Sequence, residues 1–274
     1  MSRFFNVENP FFTVINKLVD LIFLSIIVCF ICIPAIFTGI ITFTFSEGFY
    51  IIMAVLFVLA TGLVGPALTA LYYSVAKSVR HSRSYAVKEF FSAYKKNFLQ
   101  GAVMGMVFGA FAVIMFLDFF AMKNLKDGVM SDKANTVIKS ILRAFCILMG
   151  MASVYIFPML SRFNMKVGKF FFSAFMMSIR HLFTTIILLL NAIVFGAGPV
   201  IVAYFMGATS MEQYLTICIP CYLFLPGIGC FLSSFLIEKI FKQYILKGIE
   251  DEKARAEQNG EEYVDPVEDR WYLE

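Results

Sequence analysis

The chain has 274 residues, of which 60 % are hydrophobic and only 15 % charged, and its mean hydropathy is +0.80. A water-soluble globule needs a polar surface that this composition does not supply. The formal net charge is +4, and the basic residues gather in loops, where they set topology; no pattern for nucleic acid binding accompanies them.

Six long apolar stretches follow one another along the chain. A spanning helix needs roughly 20 mainly apolar residues to cross a hydrocarbon core about 30 Å thick. The pattern predicts spans at about Leu18 to Phe45, Phe49 to Val79, Phe98 to Ala121, Val137 to Leu160, Leu182 to Met206 and Tyr214 to Ile240. The first run exceeds the apolar core of a secretory leader, and no Ala-x-Ala follows it, so it reads as a retained span. The expected fold class is all-α: a polytopic membrane helical bundle of six transmembrane helices with two amphipathic cytoplasmic connector helices. Residues 1–249 form the membrane domain and residues 250–274 a tail.

Loop charge orients these spans. Lys77, Arg80, Arg83, Lys88, Lys95 and Lys96 crowd the second loop, and Arg162, Lys166, Lys169 and Arg180 the fourth, which has no acid. The Ser46–Glu47–Gly48 turn and the turn from Gly207 to Gln213 have neither Lys nor Arg. Lys and Arg are retained on the cytoplasmic side. Both termini are therefore expected in the cytosol of a multi-pass protein of the bacterial cytoplasmic membrane; the third loop, mixed in charge, is the weak point.

The two basic connectors are amphipathic. In the first, Val87, Phe90, Phe91, Tyr94 and Phe98 form one helical stripe, with Lys88, Lys95 and Lys96 off it. In the second, Val167, Phe170, Phe171, Ala174 and Phe175 do the same, Phe172 standing beside them and Lys166 and Lys169 flanking. Such segments lie in the interface, with the apolar side in the acyl boundary and lysines toward anionic lipid. A docking surface for a cytoplasmic partner is the sharper alternative. The connectors also echo each other: Phe90–Phe91–Ser92–Ala93–Tyr94 matches Phe171–Phe172–Ser173–Ala174–Phe175, and Pro66–Ala67–Leu68–Thr69 matches Pro158–Met159–Leu160–Ser161. This suggests a parallel duplication of span, connector and returning span, although matches this short also arise by chance in a Phe-rich chain.

Within the spans, Gly101, Gly105 and Gly109 make a small-residue ridge, which lets helices approach closely in lipid, within the bundle or between protomers. Pro34, Pro66, Pro158, Pro199, Pro220 and Pro226 each remove a backbone donor. They read as kinks, while Gly65–Pro66 and Gly198–Pro199 also suit the interrupted helices that line transporter sites. Asp118 and Arg143 lie near the outer ends of the third and fourth spans. The expectation is an intramembrane ion pair locking that hairpin, with a substrate role as the alternative. Asn191 is expected to bond to a neighbouring helix, and Glu238 to sit with Lys239 at the cytoplasmic interface.

No catalytic, cofactor-binding or metal-binding constellation stands out. Cys29–Phe30–Ile31–Cys32 and Cys218–Ile219–Pro220–Cys221 form two Cys-x-x-Cys pairs, but their expected depths differ, and they read as small packing residues. His81 and His181 lie beside arginines, which disfavours a further cation. The tail holds ten of the nineteen acids against three basic residues, and a short acidic stretch of this kind is expected to be disordered. Its Trp271 leaves a partner-binding motif open.

A family resemblance is carried by Phe4–Phe5–Asn6–Val7–Glu8–Asn9–Pro10–Phe11–Phe12, by Gly65–Pro66–Ala67–Leu68–Thr69–Ala70–Leu71–Tyr72–Tyr73, by the Phe90 to Phe98 connector, and by Tyr155–Ile156–Phe157–Pro158–Met159–Leu160–Ser161–Arg162–Phe163. Together these resemble the YesL-like bacterial membrane proteins, a family catalogued as a domain of unknown function. The resemblance implies an accessory role beside sugar-import ATP-driven transporters, with the permease subunits as partners, and offers no catalytic residues. Asn6 and Asn9 before Pro10 read as a turn or helix cap at the interface. A non-enzymatic accessory or interaction subunit is the leading expectation, and a small-solute transporter or channel acting on its own is the rival.

Overall fold

In lipid no water satisfies an open backbone, so each apolar run must close its hydrogen bonds within a helix. The computed structural model describes residues 10–44, 50–80, 85–124, 132–163 and 165–259, and these are helical with short joints and no strand. In chain order the helices are α1 (Pro10–Thr44), α2 (Tyr50–Arg80), α3 (Ala86–Lys96), α4 (Phe98–Asn124), α5 (Asp132–Leu160), α6 (Val167–Arg180) and α7 (Leu182–Ala192). A π-helical turn, Ile193–Ala197, then leads to α8 (Gly198–Phe205) and α9 (Met211–Asn259). Six spans emerge, at Val14–Phe43, Ile51–Ser78, Phe98–Asp118, Thr136–Leu160, Leu182–Phe205 and Glu212–Glu250, and no more than 33 % of any apolar window is buried. Phe30, Ile51, Phe183 and Phe205 are each at least 67 % exposed. Outward apolar faces of this extent suit lipid as the surrounding medium.

Two apolar cores, one per connector, organise the bundle. In the first, Leu21, Leu24 and Val28 of α1 meet Ala67, Ala70, Leu71 and Val75 of α2 and Ala86, Phe90 and Ala93 of α3. In the second, Tyr155, Ile156, Met159 and Leu160 of α5 meet Phe170, Ala174 and Met177 of α6, with Met104, Leu188, Ile237 and Phe241 closing around them. Helix α9 joins both, through Cys230 to the first core and through Ile237, Ile240 and Phe241 to the second.

The apolar stripe of each connector is only partly covered by protein. Phe90 and Phe170 are fully buried against the bundle, whereas Val87, Phe91 and Phe98 of the first stripe are 37 %, 47 % and 36 % exposed. Lys77 of α2 pairs with Glu89 of α3 at 3.0 Å and pins the first connector across its joint.

The connector echo extends into the burial pattern of the preceding spans. A shift of 81 residues, the one that relates Phe90 to Phe171, superposes Leu71, Ser74, Val75 and Ser78 on Ala152, Tyr155, Ile156 and Met159, all buried. The same shift matches buried Ala93 with Ala174 and exposed Phe91 with Phe172. It does not match Pro66 with Pro158: Pro66 lies well inside α2, whereas α5 stops just after Pro158.

The turn before α9 shows why the chain reverses there. Gly207 adopts φ 80°, a conformation costly for any residue with a Cβ. The Gly207 N–H bonds the Tyr204 carbonyl at 3.0 Å and the Ala208 N–H bonds Ala203 at 3.1 Å, which ends α8 as a Schellman motif. Ser210 and Gln213 then form a capping box: Gln213 donates its N–H to the Ser210 hydroxyl, and its side-chain oxygen accepts from the Thr209 and Ser210 amides.

Helix α9 extends well past the expected end at Ile240. Its 49 residues measure about 73 Å at roughly 1.5 Å each, more than twice the hydrocarbon thickness. The added stretch is rich in Lys, Glu, Gln, Ala and Arg, strong helix formers that carry the helix out of the apolar layer. The helix thus runs into the stretch expected to be a disordered tail, as far as Asn259; the remainder, with Trp271, lies outside the described residues, as do Asn6, Asn9 and His81.

Candidate functional site

Where prolines fall inside helices, the freed backbone groups must find other partners. Pro226 of α9 has no N–H for the carbonyl of Tyr222, one turn earlier. The Cys29 thiol of α1 donates to that carbonyl at 2.9 Å. Beside it, the Ser25 hydroxyl donates to the Leu21 carbonyl at 2.9 Å and accepts the Gly227 N–H at 2.8 Å. A Cβ on Gly227 would lie 2.5 Å from the Leu21 carbonyl oxygen, so α1 and α9 touch backbone to backbone.

The fifth span departs from α-helical geometry opposite this point. Pro199 lacks the N–H that would continue the helix, and the backbone widens into the π turn at Ile193–Ala197. The Tyr222 hydroxyl of α9 donates to the Gly196 carbonyl at 2.5 Å. One turn earlier on α7, the Asn191 amide donates to the Gly229 carbonyl at 2.8 Å and to the Ser233 hydroxyl at 2.5 Å. Ser25, Cys29, Asn191, Tyr222 and Ser233 thus form an uncharged polar seam joining α1, α9 and the fifth span. Asn191 was legible in the sequence as a helix-to-helix donor. The others were not, because which carbonyl each serves depends on how the helices are paired.

The glycine ridge of α4 packs inside the bundle. A Cβ on Gly101 would lie 2.7 Å from Pro66 Cα, and Cβ atoms on Gly105 and Gly109 would run into the backbone and side chain of Thr61. Gly65 meets the Gly101 carbonyl from the other side. Gly65–Pro66 therefore marks a close helix crossing, whereas Gly198–Pro199 follows a π-helical turn within a span that stays helical throughout.

Asp118 and Arg143 form no ion pair. Helix α4 is committed to α2 through its glycines, and it meets α5 through Phe111 on Phe145, ring centroids 5.3 Å apart, and Met115 on Cys146. Arg143 is exposed and Asp118 half-buried. Besides Lys77 with Glu89, the described residues hold a second interhelical ion pair, Arg162 with Glu238, linking the end of α5 to α9, with side chains only 7 % and 15 % exposed. In the sequence Arg162 reads as a charge of the fourth loop and Glu238 as one at the cytoplasmic interface; their partnership, which spans 76 positions, has no local signal.

The remaining motif residues hold the connectors and helix ends. Pro10 is the first residue of α1. The Pro158 carbonyl accepts the Ser161 hydroxyl at 2.6 Å. Tyr94 stacks on Phe90, and burial pushes its hydroxyl above the usual phenol range, with Cys32 adding to the effect. Phe91 and Phe172 are exposed, Phe171 and Phe175 half-buried. The Cys-x-x-Cys pairs are closer in depth than expected, since Cys29 bonds Tyr222, one turn from Cys218. Even so, no group of three or more His, Cys, Asp or Glu comes together among the described residues.

The arrangement defines a class: an all-helical bundle with six helices long and apolar enough to cross a membrane, a multi-pass membrane protein. Residues 14–119, which cover most of α1 to α4, match the family described as "Protein of unknown function, DUF624". No curated relative and no solved structure matches the chain.

Proposed function

We propose that the chain is a non-enzymatic accessory or interaction subunit of the bacterial cytoplasmic membrane, with both termini in the cytosol. One observation carries this reading: the seam's polar side chains are already bonded to the backbone of neighbouring helices, or to one another. A group that serves a helix carbonyl is not free to replace a solute's hydration shell. The seam then works as a joint that fixes how α1, α9 and the fifth span meet, and the outer faces remain for a membrane partner. The family resemblance supplies the expected partner, the permease of a sugar-import ATP-driven transporter.

A second reading has an observation of its own. The π turn of the fifth span lies beside Tyr222, whose carbonyl loses its helical donor to Pro226 within the continuous α9, and irregular helix segments line substrate sites in transporters. Native-membrane purification separates the two. Stoichiometric recovery with a transport permease supports the accessory role, and sugar flux by the protein alone in liposomes overturns it.

A further inference from the structure

A second polar feature lies away from the seam, where α6 ends and the fifth span begins. Arg180, His181, Gln243, Tyr244 and Lys247 line an open-sided cavity of 310 Å³. His181 breaks the helix between α6 and α7 and sets its ring edge-on against Tyr244, centroids 5.8 Å apart. Gln243, Tyr244 and Lys247 project from neighbouring turns of α9. Among the described residues no acid pairs with Arg180, His181 or Lys247, whereas Arg162 on the nearby joint is paired with Glu238.

We propose that this cavity seats the phosphate of an anionic phospholipid headgroup. Arg180 offers a planar fork that matches phosphate oxygens, and Lys247 offers a point charge. Gln243 and Tyr244 supply neutral donors for the phosphate or for headgroup hydroxyls. A lipid, rather than a soluble phosphate, fits the surroundings: Ile179, Leu182 and Phe183, the chain neighbours of Arg180 and His181, are 51 %, 52 % and 79 % exposed. They offer an apolar path for acyl chains directly beside the cationic lining. Anionic lipid bound there would tie the fifth span to α9 on the basic side of the bundle, independently of any partner protein.

The test uses the full chain in neutral detergent, titrated with phosphatidylglycerol, phosphatidylcholine or inorganic phosphate while thermal unfolding is followed. Phosphatidylglycerol raises the unfolding temperature and phosphatidylcholine does not. Each Lys or Arg near an anionic surface contributes about 1 kcal/mol, so R180Q/K247Q weakens phosphatidylglycerol binding by about tenfold or more. K95Q/K96Q on α3 keeps the wild-type response, which separates the cavity from general basic charge. Should R180Q/K247Q fail to fold, Lys247→Gln alone, exposed on α9, carries the same comparison with a smaller loss. An unchanged phosphatidylglycerol response in these cavity variants overturns the proposal. So does an equal response to phosphatidylcholine, or equal stabilisation by inorganic phosphate at the same concentration.

Discussion

Arg162, just past the end of α5, is held by Glu238 of α9, and the two side chains are almost entirely shielded. The pair ties the second core to the helix that also closes the first. Removing one partner of a buried pair leaves an uncompensated charge, at a cost of about 3–5 kcal/mol. Glu238→Gln and Arg162→Met should each lower the unfolding temperature sharply, read with a thiol-reactive dye on the free cysteines. The double variant should recover much of that loss. Equal stability in wild type and both single variants would remove the pair from the fold's supports.

The glycine crossing makes a graded prediction. At Gly105 an added methyl meets the α2 backbone, and overpacking of this kind costs about 1–3 kcal/mol. Gly168 of α6 has nothing within 4 Å of a new Cβ, so Gly168→Ala should be neutral or stabilise by up to about 1 kcal/mol through helix propensity. Thermal unfolding of the two variants side by side checks the contrast, and a similar effect at both sites would contradict the packing.

Burial separates two adjacent phenylalanines. Phe90 is fully enclosed by α1, α2 and α3, while Phe91 is 47 % exposed. Phe90→Ala should cost about 3–5 kcal/mol, as core truncations of this size do. Phe91→Ala should cost far less. Protease sensitivity of the α2–α3 joint in membranes offers an independent readout. If the two variants behave alike, α3 rests in lipid rather than in the core.

At the polar seam, Tyr222→Phe removes the donor to the Gly196 carbonyl, and Cys29→Ala the donor to the Tyr222 carbonyl. Each should destabilise by about 1 kcal/mol, more where the orphaned carbonyl finds no water. Cys29→Ser keeps a donor and should stay close to wild type. A Cys29→Ala variant as stable as wild type would show that the thiol bond contributes nothing.

The six apolar runs were legible because a span is written locally: about 20 apolar residues and a charged or turn-forming end suffice. The Gly207 to Gln213 reversal was visible for the same reason. The end of α9 was not, since a search for apolar length is blind to a helix that continues through Lys, Glu and Ala. The two proline blocks match in composition but not in place, since one lies inside a helix and the other near its end.

Hydrophobic length and loop charge, both properties of short segments, let the sequence by itself set the number of apolar spans, their approximate limits and an expected orientation. Tertiary structure alone decided the partners. It sent the α4 glycines to α2, left Asp118 and Arg143 apart, joined Arg162 to Glu238, and gave Cys29 and Tyr222 carbonyls to repair. The reason is physical: in lipid, apolar faces are nearly interchangeable as packing surfaces, so pairing follows close backbone approach and the matching of a few polar atoms. Those matches link residues far apart in the chain, and no local pattern encodes them.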